Sequence, residues 1–187
     1  MPLIGEALAQ PRARSIVERM KTILWATLTA NGNYATNSRE HPPKREALED
    51  FAAQVTRAGS FVVGRRTFES FQAQPSSGPA FGDVSIVVVS KTLAIPGVTC
   101  VAGPREALDH LARQGRTSVV IAGGETLHNA FLAAGLVDEL VFNIAPVLEP
   151  TGLKIVLPAG AYQDATLIGV RELGGGVVQL RYGLARD

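Results

Sequence analysis

Cysteine is almost absent from this sequence. Cys100 stands alone, so no internal disulfide framework can form, and the chain is expected in a reducing cytoplasm. A surplus of charge is missing as well: 18 Lys and Arg against 17 Asp and Glu leave a formal net charge of +1. General nucleic-acid or anionic-membrane binding needs a concentrated basic surface, so neither is expected, and any anion must be recognised locally. No apolar run is long enough to span a bilayer. In the opening stretch, MPLIGEALAQPRAR, charges interrupt a short apolar run, unlike a secretory signal. Internal repeats and low-complexity tracts are lacking. His41, His110 and His128 lie far apart, with no His, Cys, Asp or Glu cluster at ligand spacing, so no metal is expected.

What is present suffices for a core. Of 187 residues, 46% are apolar and 19% charged, which fits one ordinary domain over residues 21–187 behind an extension at 1–20. TILWATLT (22–29) reads as a strand ending at the Asn31-Gly32 turn. A polar loop runs to Pro42-Pro43, and KREALEDFAAQVTRAG reads as an amphipathic helix with Leu48, Phe51, Ala52 and Val55 inward and Gly59 as its stop. Further strands are expected at 60–63, 85–90, near 98–101, in TSVVIAGG, in VDELVFNIAPVL, and at 162–172 and 177–185. Helices are expected in RTFESFQ, PREALDHLARQG and ETLHNAFLAAG. Alternating strand and helix predicts right-handed parallel crossovers, and Gly174-Gly175-Gly176 predicts a terminal antiparallel hairpin.

Such sheets bind ligands beyond the carboxyl ends of their strands, and three of those ends suit anions. In VVGRRTF, Gly64 lets backbone approach a ligand where a strand becomes a helix, while Arg65, Arg66 and Thr67 add donors. The two arginines could equally snorkel over the sheet edge. In IAGGETL, Gly123 and Gly124 again separate a buried strand from a helix start, and Ser90-Lys91 closes SIVVV. Neither the long phosphate loop ending in Lys-Ser/Thr nor the three-glycine dinucleotide fingerprint is present.

Taken in order, VVGRRTFESF, SIVVVSK and VVIAGGETLHNAFL resemble segments of dihydrofolate reductases. LVDELVFNIAPVL and LTANGNYA resemble more closely the reductase domain of the bifunctional riboflavin-biosynthesis deaminase–reductase, over about residues 20–185. The resemblance implies a dihydrofolate reductase-like fold, a three-layer α/β/α arrangement with a mainly parallel sheet and a C-terminal antiparallel hairpin. It implies NADPH as hydride donor. Gly64, Arg65 and Thr67 would serve the cofactor's phosphates with help from Arg66, and Ser90 and Lys91 would meet the 2′-phosphate. Gly123 and Gly124, joined by a cis peptide in dihydrofolate reductases, would lie against pyrophosphate and nicotinamide, above a helix opened by Glu125, Thr126 and Leu127.

On the substrate side, Trp25, Thr27 and Thr29 share one face of the first strand, with Thr27 beside the cofactor. Asn31 and Thr29 stand where the riboflavin-type reductases carry aspartate and serine, and Asn31 lacks the carboxylate. Ser38 and Arg39, with Lys44 and Arg45, could replace that family's contacts to a ribose phosphate. Dihydrofolate reductases use an acid on the helix after the first loop; Glu49 and Asp50 stand near that position, neither in register. A buried acid there would carry a raised pKa, whereas the apolar stripe predicts that Glu46, Glu49 and Asp50 form a solvated face. The expected activity is reduction of a ribosylaminopyrimidine phosphate by a homodimer, with the deaminase activity coming from another protein. A dihydrofolate reductase and a nucleotide-binding module without turnover are the alternatives.

Overall fold

The computed structural model describes residues 20–36, 38, 40–72, 82–92 and 96–185; all of the 1–20 extension except Met20, and Arg39, lie outside the described residues. Its elements follow the order β1 (Lys21–Thr29), α1 (Arg45–Ala58), β2 (Ser60–Gly64), α2 (Arg65–Gln72), β3 (Ser85–Val89), β4 (Thr99–Val101), α3 (Pro104–Arg113), β5 (Ser118–Ile121), α4 (Glu125–Ala133), β6 (Glu139–Ala145), β7 (Ala165–Gly174) and β8 (Val177–Leu184). The sheet order is β4-β3-β2-β5-β1-β6-β8-β7. The first six strands in that order run parallel, and β8 pairs antiparallel with both β6 and β7.

Two cores result, one on each side of the sheet. Leu24, Ala26 and Leu28 of β1 join Leu108, Leu111, Phe131 and Leu132 from α3 and α4. The alternate residues face the other way: Phe51 and Val55 of α1 and Phe68 of α2 pack on Phe61, Val63, Val88 and Val120, with Trp25 against them. Strands buried on both faces read as continuous apolar runs, which is why SIVVV and SVVI carry almost no polar residue.

Element ends follow local chemistry. Gly59 closes α1 in the left-handed conformation, at φ 70°, and its N–H returns to the Val55 carbonyl. β6 starts later than VDEL suggests because Asp138 turns its carboxylate onto the Thr22 N–H at 2.7 Å. β7 starts at Ala165 rather than 162 because Leu184, its partner, is the last residue of β8.

The helix stripe needs correction. Leu48, expected inside, is 46% exposed, whereas Asp50, expected in solvent, is 6% exposed. The buried set on α1 is Ala47, Asp50, Phe51, Gln54 and Val55. Its period is helical, but two members are polar.

Candidate active site

β2 and β5 are neighbours, and their ladder continues past the end of β5. The Ala122 N–H donates to the Val62 carbonyl and the Gly64 N–H to the Gly123 carbonyl, each at 2.8 Å. The glycine of GRRT and the first glycine of the Gly-Gly turn are therefore locked side by side. Gly123 has φ +97°, and the Gly123–Gly124 bond is cis. A Cβ on Gly64 would lie 3.5 Å from the Gly123 carbonyl oxygen, and one on Gly124 would lie 3.5 Å from Thr67 Oγ1. Without those methyls, Gly64, Thr67 and Gly124 leave a backbone-lined cradle where α2 and α4 both begin.

The first N–H groups of both helices have no intrahelical acceptor, so the cradle presents positive partial charge. Arg65 is half-buried, with Nε on Glu69 at 2.7 Å, and Arg66 is exposed. One strand further out, Ser90 donates its N–H to Val101, and Lys91 beside it is exposed. Glu125 is half-buried, Thr126 exposed and Leu127 buried under the turn. Ser-Lys, GRRT and Gly-Gly thus stand at the carboxyl ends of the consecutive strands β3, β2 and β5.

The second half of the crevice lies beyond β1 and β6. There a cavity of about 410 Å³ is lined by Thr27, Thr36, His41, Lys44, Ala145 and Glu149 among others. That volume suits a small aromatic ring with substituents. Its rim is held by a clasp. Asn31 Nδ2 donates to the Glu149 carbonyl at 2.6 Å, and Asn31 Oδ1 accepts the Glu149 N–H at 3.2 Å and the Thr29 hydroxyl at 2.8 Å. The Glu149 carboxylate accepts Thr36 N–H and Oγ1, both at 2.8 Å. Asn31 and the buried Thr29 therefore build the wall. Ser38 Oγ caps the His41 N–H at 3.0 Å near the same rim.

The acidic candidates separate. Glu49 is exposed and pairs with Arg45 at 3.0 Å, i to i+4 on the outer face. Asp50 is the hub of a buried network. Its Oδ2 accepts Trp25 Nε1 at 2.8 Å, Gln179 Nε2 at 2.8 Å and Asn143 Nδ2 at 3.0 Å. Its Oδ1 accepts Arg171 Nη2 at 2.5 Å and Gln54 Nε2 at 3.3 Å. Burial pushes this carboxyl up, but hydrogen bonds from Trp25, Asn143, Gln179 and Gln54 outweigh it and hold it below the usual carboxylate range. The raised pKa expected of a buried acid is thus reversed. Trp25 is spent in the same network, packed on Phe51 with ring centroids 4.9 Å apart.

Sequence reasoning missed Asn143, Gln179 and Arg171 here, and Tyr34, His128 and Glu149 elsewhere. One signal existed: Glu139, Val141, Asn143 and Ala145 share the buried phase of β6, so a polar residue at 143 required buried partners.

The sequence profile of the RibD C-terminal domain family matches residues 21–178. The chain belongs to the RibD C-terminal domain family. A pyrimidine reductase-like protein from Corynebacterium diphtheriae superposes with a TM-score of 0.73 at 16% identity, covering 94% of this chain and 96% of that one. Acinetobacter baumannii RibD gives 0.68 at 19% identity over 89% of this chain, which spans 58% of that RibD. Schistosoma mansoni dihydrofolate reductase gives 0.64 at 20% identity, covering 89% of this chain and all of that one. No match was found among curated proteins. The fold is dihydrofolate reductase-like, and the RibD family supports a riboflavin-type reductase, an oxidoreductase. Among the described residues, no helix of this RibD-type domain is long and apolar enough to cross a membrane.

Replacing Asp50 by Ala strands four side-chain amide or indole donors and a half-exposed guanidinium. Urea unfolding of Asp50→Ala should show a loss of about 3 kcal/mol. A loss under about 1 kcal/mol would mean that the hub is not structural.

Proposed function

We propose that this RibD-type domain is an NADPH-dependent reductase that delivers hydride to a ribosylaminopyrimidine phosphate. The observation that carries this is the Gly64–Gly123 hydrogen bond, which brings two glycine turns, Thr67 and two helix starts into one cradle. The donor set fits a dinucleotide. Gly64, Gly123 and Gly124 let main chain come close to a pyrophosphate, with Arg65, Arg66 and Thr67 supplying donors and Glu125 to Leu127 opening the helix below. Ser90 and Lys91 meet the extra phosphate on the adenosine ribose. The bound cofactor supplies the hydride; the protein supplies position and electrostatics.

The chain's own part on the substrate side is a preformed wall. Thr27 and Ala145 floor the cavity beside the cofactor cradle, and the Asn31–Glu149 clasp keeps its rim from collapsing. Lys44 and His41 line it, next to Ser38, and give a polar flank for a phosphorylated sugar. Asp50 acts on none of this directly: both its oxygens are occupied by protein donors, and it does not line the cavity. That occupancy disfavours a pterin reductase that protonates its substrate from this helix.

The active unit is a homodimer. β7 is an edge strand whose Leu167, Ile168 and Val170 are exposed, and an open apolar edge is a template for pairing with a second copy. Sedimentation should give the mass of two chains and Val170→Lys the mass of one. A single-chain mass for the unmutated protein would remove the homodimer.

The activity test is loss of reduced-nicotinamide absorbance with purified protein, NADPH and either the ribosylaminopyrimidine phosphate or dihydrofolate. Turnover is expected with the first substrate alone. NADPH should bind more tightly than NADH by about tenfold or more, and Arg65→Ala should shrink that ratio. Turnover with dihydrofolate alone, binding without turnover, or equal affinities would each overturn the corresponding part.

A further inference from the structure

His128 sits where an apolar residue would serve the core equally well. It shares the inward stripe of α4 with Leu127, Phe131 and Leu132, and it is 1% exposed. Burying an imidazole costs free energy unless both nitrogens are satisfied. Here both are. Nε2 lies 3.0 Å from the Ile121 carbonyl, which can only accept, so Nε2 carries the proton. Nδ1 is left as an acceptor, and the Tyr34 hydroxyl donates to it at 2.5 Å. Burial pulls the His128 pKa down to about 4, against the Ile121 hydrogen bond. Burial, with the Glu125 charge adding to it, pushes the Tyr34 hydroxyl up. The imidazole thus stays neutral and the phenol stays protonated, which keeps donor and acceptor roles fixed.

The two ends of this pair reach different halves of the crevice. The His128 ring backs the glycine turn: a Cβ on Gly123 would lie 3.5 Å from its Cε1. Tyr34 belongs to the loop after β1, whose next two residues, Ala35 and Thr36, line the cavity. That loop is pinned by main-chain bonds from Tyr34 to Leu153 at 2.9 Å and from Ala35 to Thr27 at 3.0 Å. The rings are also stacked, with centroids 5.7 Å apart.

We infer that Tyr34 and His128 form a positioning pair that fixes the Gly123–Gly124 turn relative to the cavity wall. Neither touches substrate or cofactor. Their hydrogen bond sets the spacing between the nicotinamide end of the cradle and the substrate cavity, an inference that rests on the dinucleotide reading above. It leaves the adenosine end, at Ser90 and Lys91, unaffected.

The test compares wild type, Tyr34→Phe and His128→Leu in calorimetric titrations with NADP⁺ and with adenosine 2′,5′-bisphosphate, which lacks the nicotinamide half. Tyr34→Phe keeps the ring against His128 and removes only the hydroxyl. Both variants should weaken NADP⁺ about tenfold, the loss of one hydrogen bond's effect, and leave the bisphosphate within about twofold. Equal weakening of both ligands would indicate a general structural role and overturn the pair. So would unchanged NADP⁺ affinity. Wild type that binds neither ligand would instead defeat the dinucleotide reading, and amide hydrogen exchange then tests the pair without any ligand. Exchange at Gly124, Glu125 and Thr126 should quicken in Tyr34→Phe while that at Arg66 and Thr67 holds; unchanged exchange at all five would overturn it.

Discussion

A single main-chain hydrogen bond, from the Gly64 N–H to the Gly123 carbonyl, joins what the chain order keeps almost sixty residues apart. Its acceptor carbonyl is presented by a turn in which Gly123 adopts a positive φ, a conformation that side chains rarely allow. Everything on the cofactor side follows from it. The starts of α2 and α4 are brought to one place, and Thr67 stands beside the second glycine. A side chain at Gly123 would strain the turn, and Cβ atoms on Gly64 and Gly124 would stand in the cradle, 3.5 Å from the Gly123 carbonyl and from Thr67 Oγ1.

Beneath α1, away from the cavity lining, a different constraint holds, the need to satisfy buried polar groups. Asp50 gathers donors from α1, β1, β6, β7 and β8. It thereby ties the antiparallel hairpin to the parallel sheet at one charged point. Such a hub contributes direction more than net energy, since an ion taken from water regains little beyond its desolvation cost. Tyr34 with His128 repeats the device on the front loop, and Asn31 with Glu149 adds an exposed clasp. Polar pairs hold the loop alongside the apolar core.

Much of this was legible in the sequence, and the reason is periodicity. SIVVV, SVVI and the helix stripes of α3 and α4 state their burial in their spacing, and the two glycine turns announce a strand becoming a helix. The α1 stripe was misread because residues 47, 50, 51, 54 and 55 are buried with helical spacing, yet Asp50 and Gln54 do not count as apolar. Their partners Asn143, Gln179 and Arg171 lie about a hundred residues downstream, and only the β6–β8 and β7–β8 registers bring them close. His128 escaped for the same reason: a lone histidine in a helix says nothing until Tyr34 arrives from another element. Local pattern encodes burial, whereas polar pairing is set by tertiary register.

The most direct measurement is a ¹H–¹⁵N correlation spectrum of the assigned protein titrated with NADP⁺. The amides of Gly64, Arg65, Thr67, Ser90, Gly123, Gly124 and Glu125 should shift together and saturate with one affinity. Saturable shifts confined to other strand ends, or shifts at GRRT without any at the twin glycines, would contradict a shared cradle.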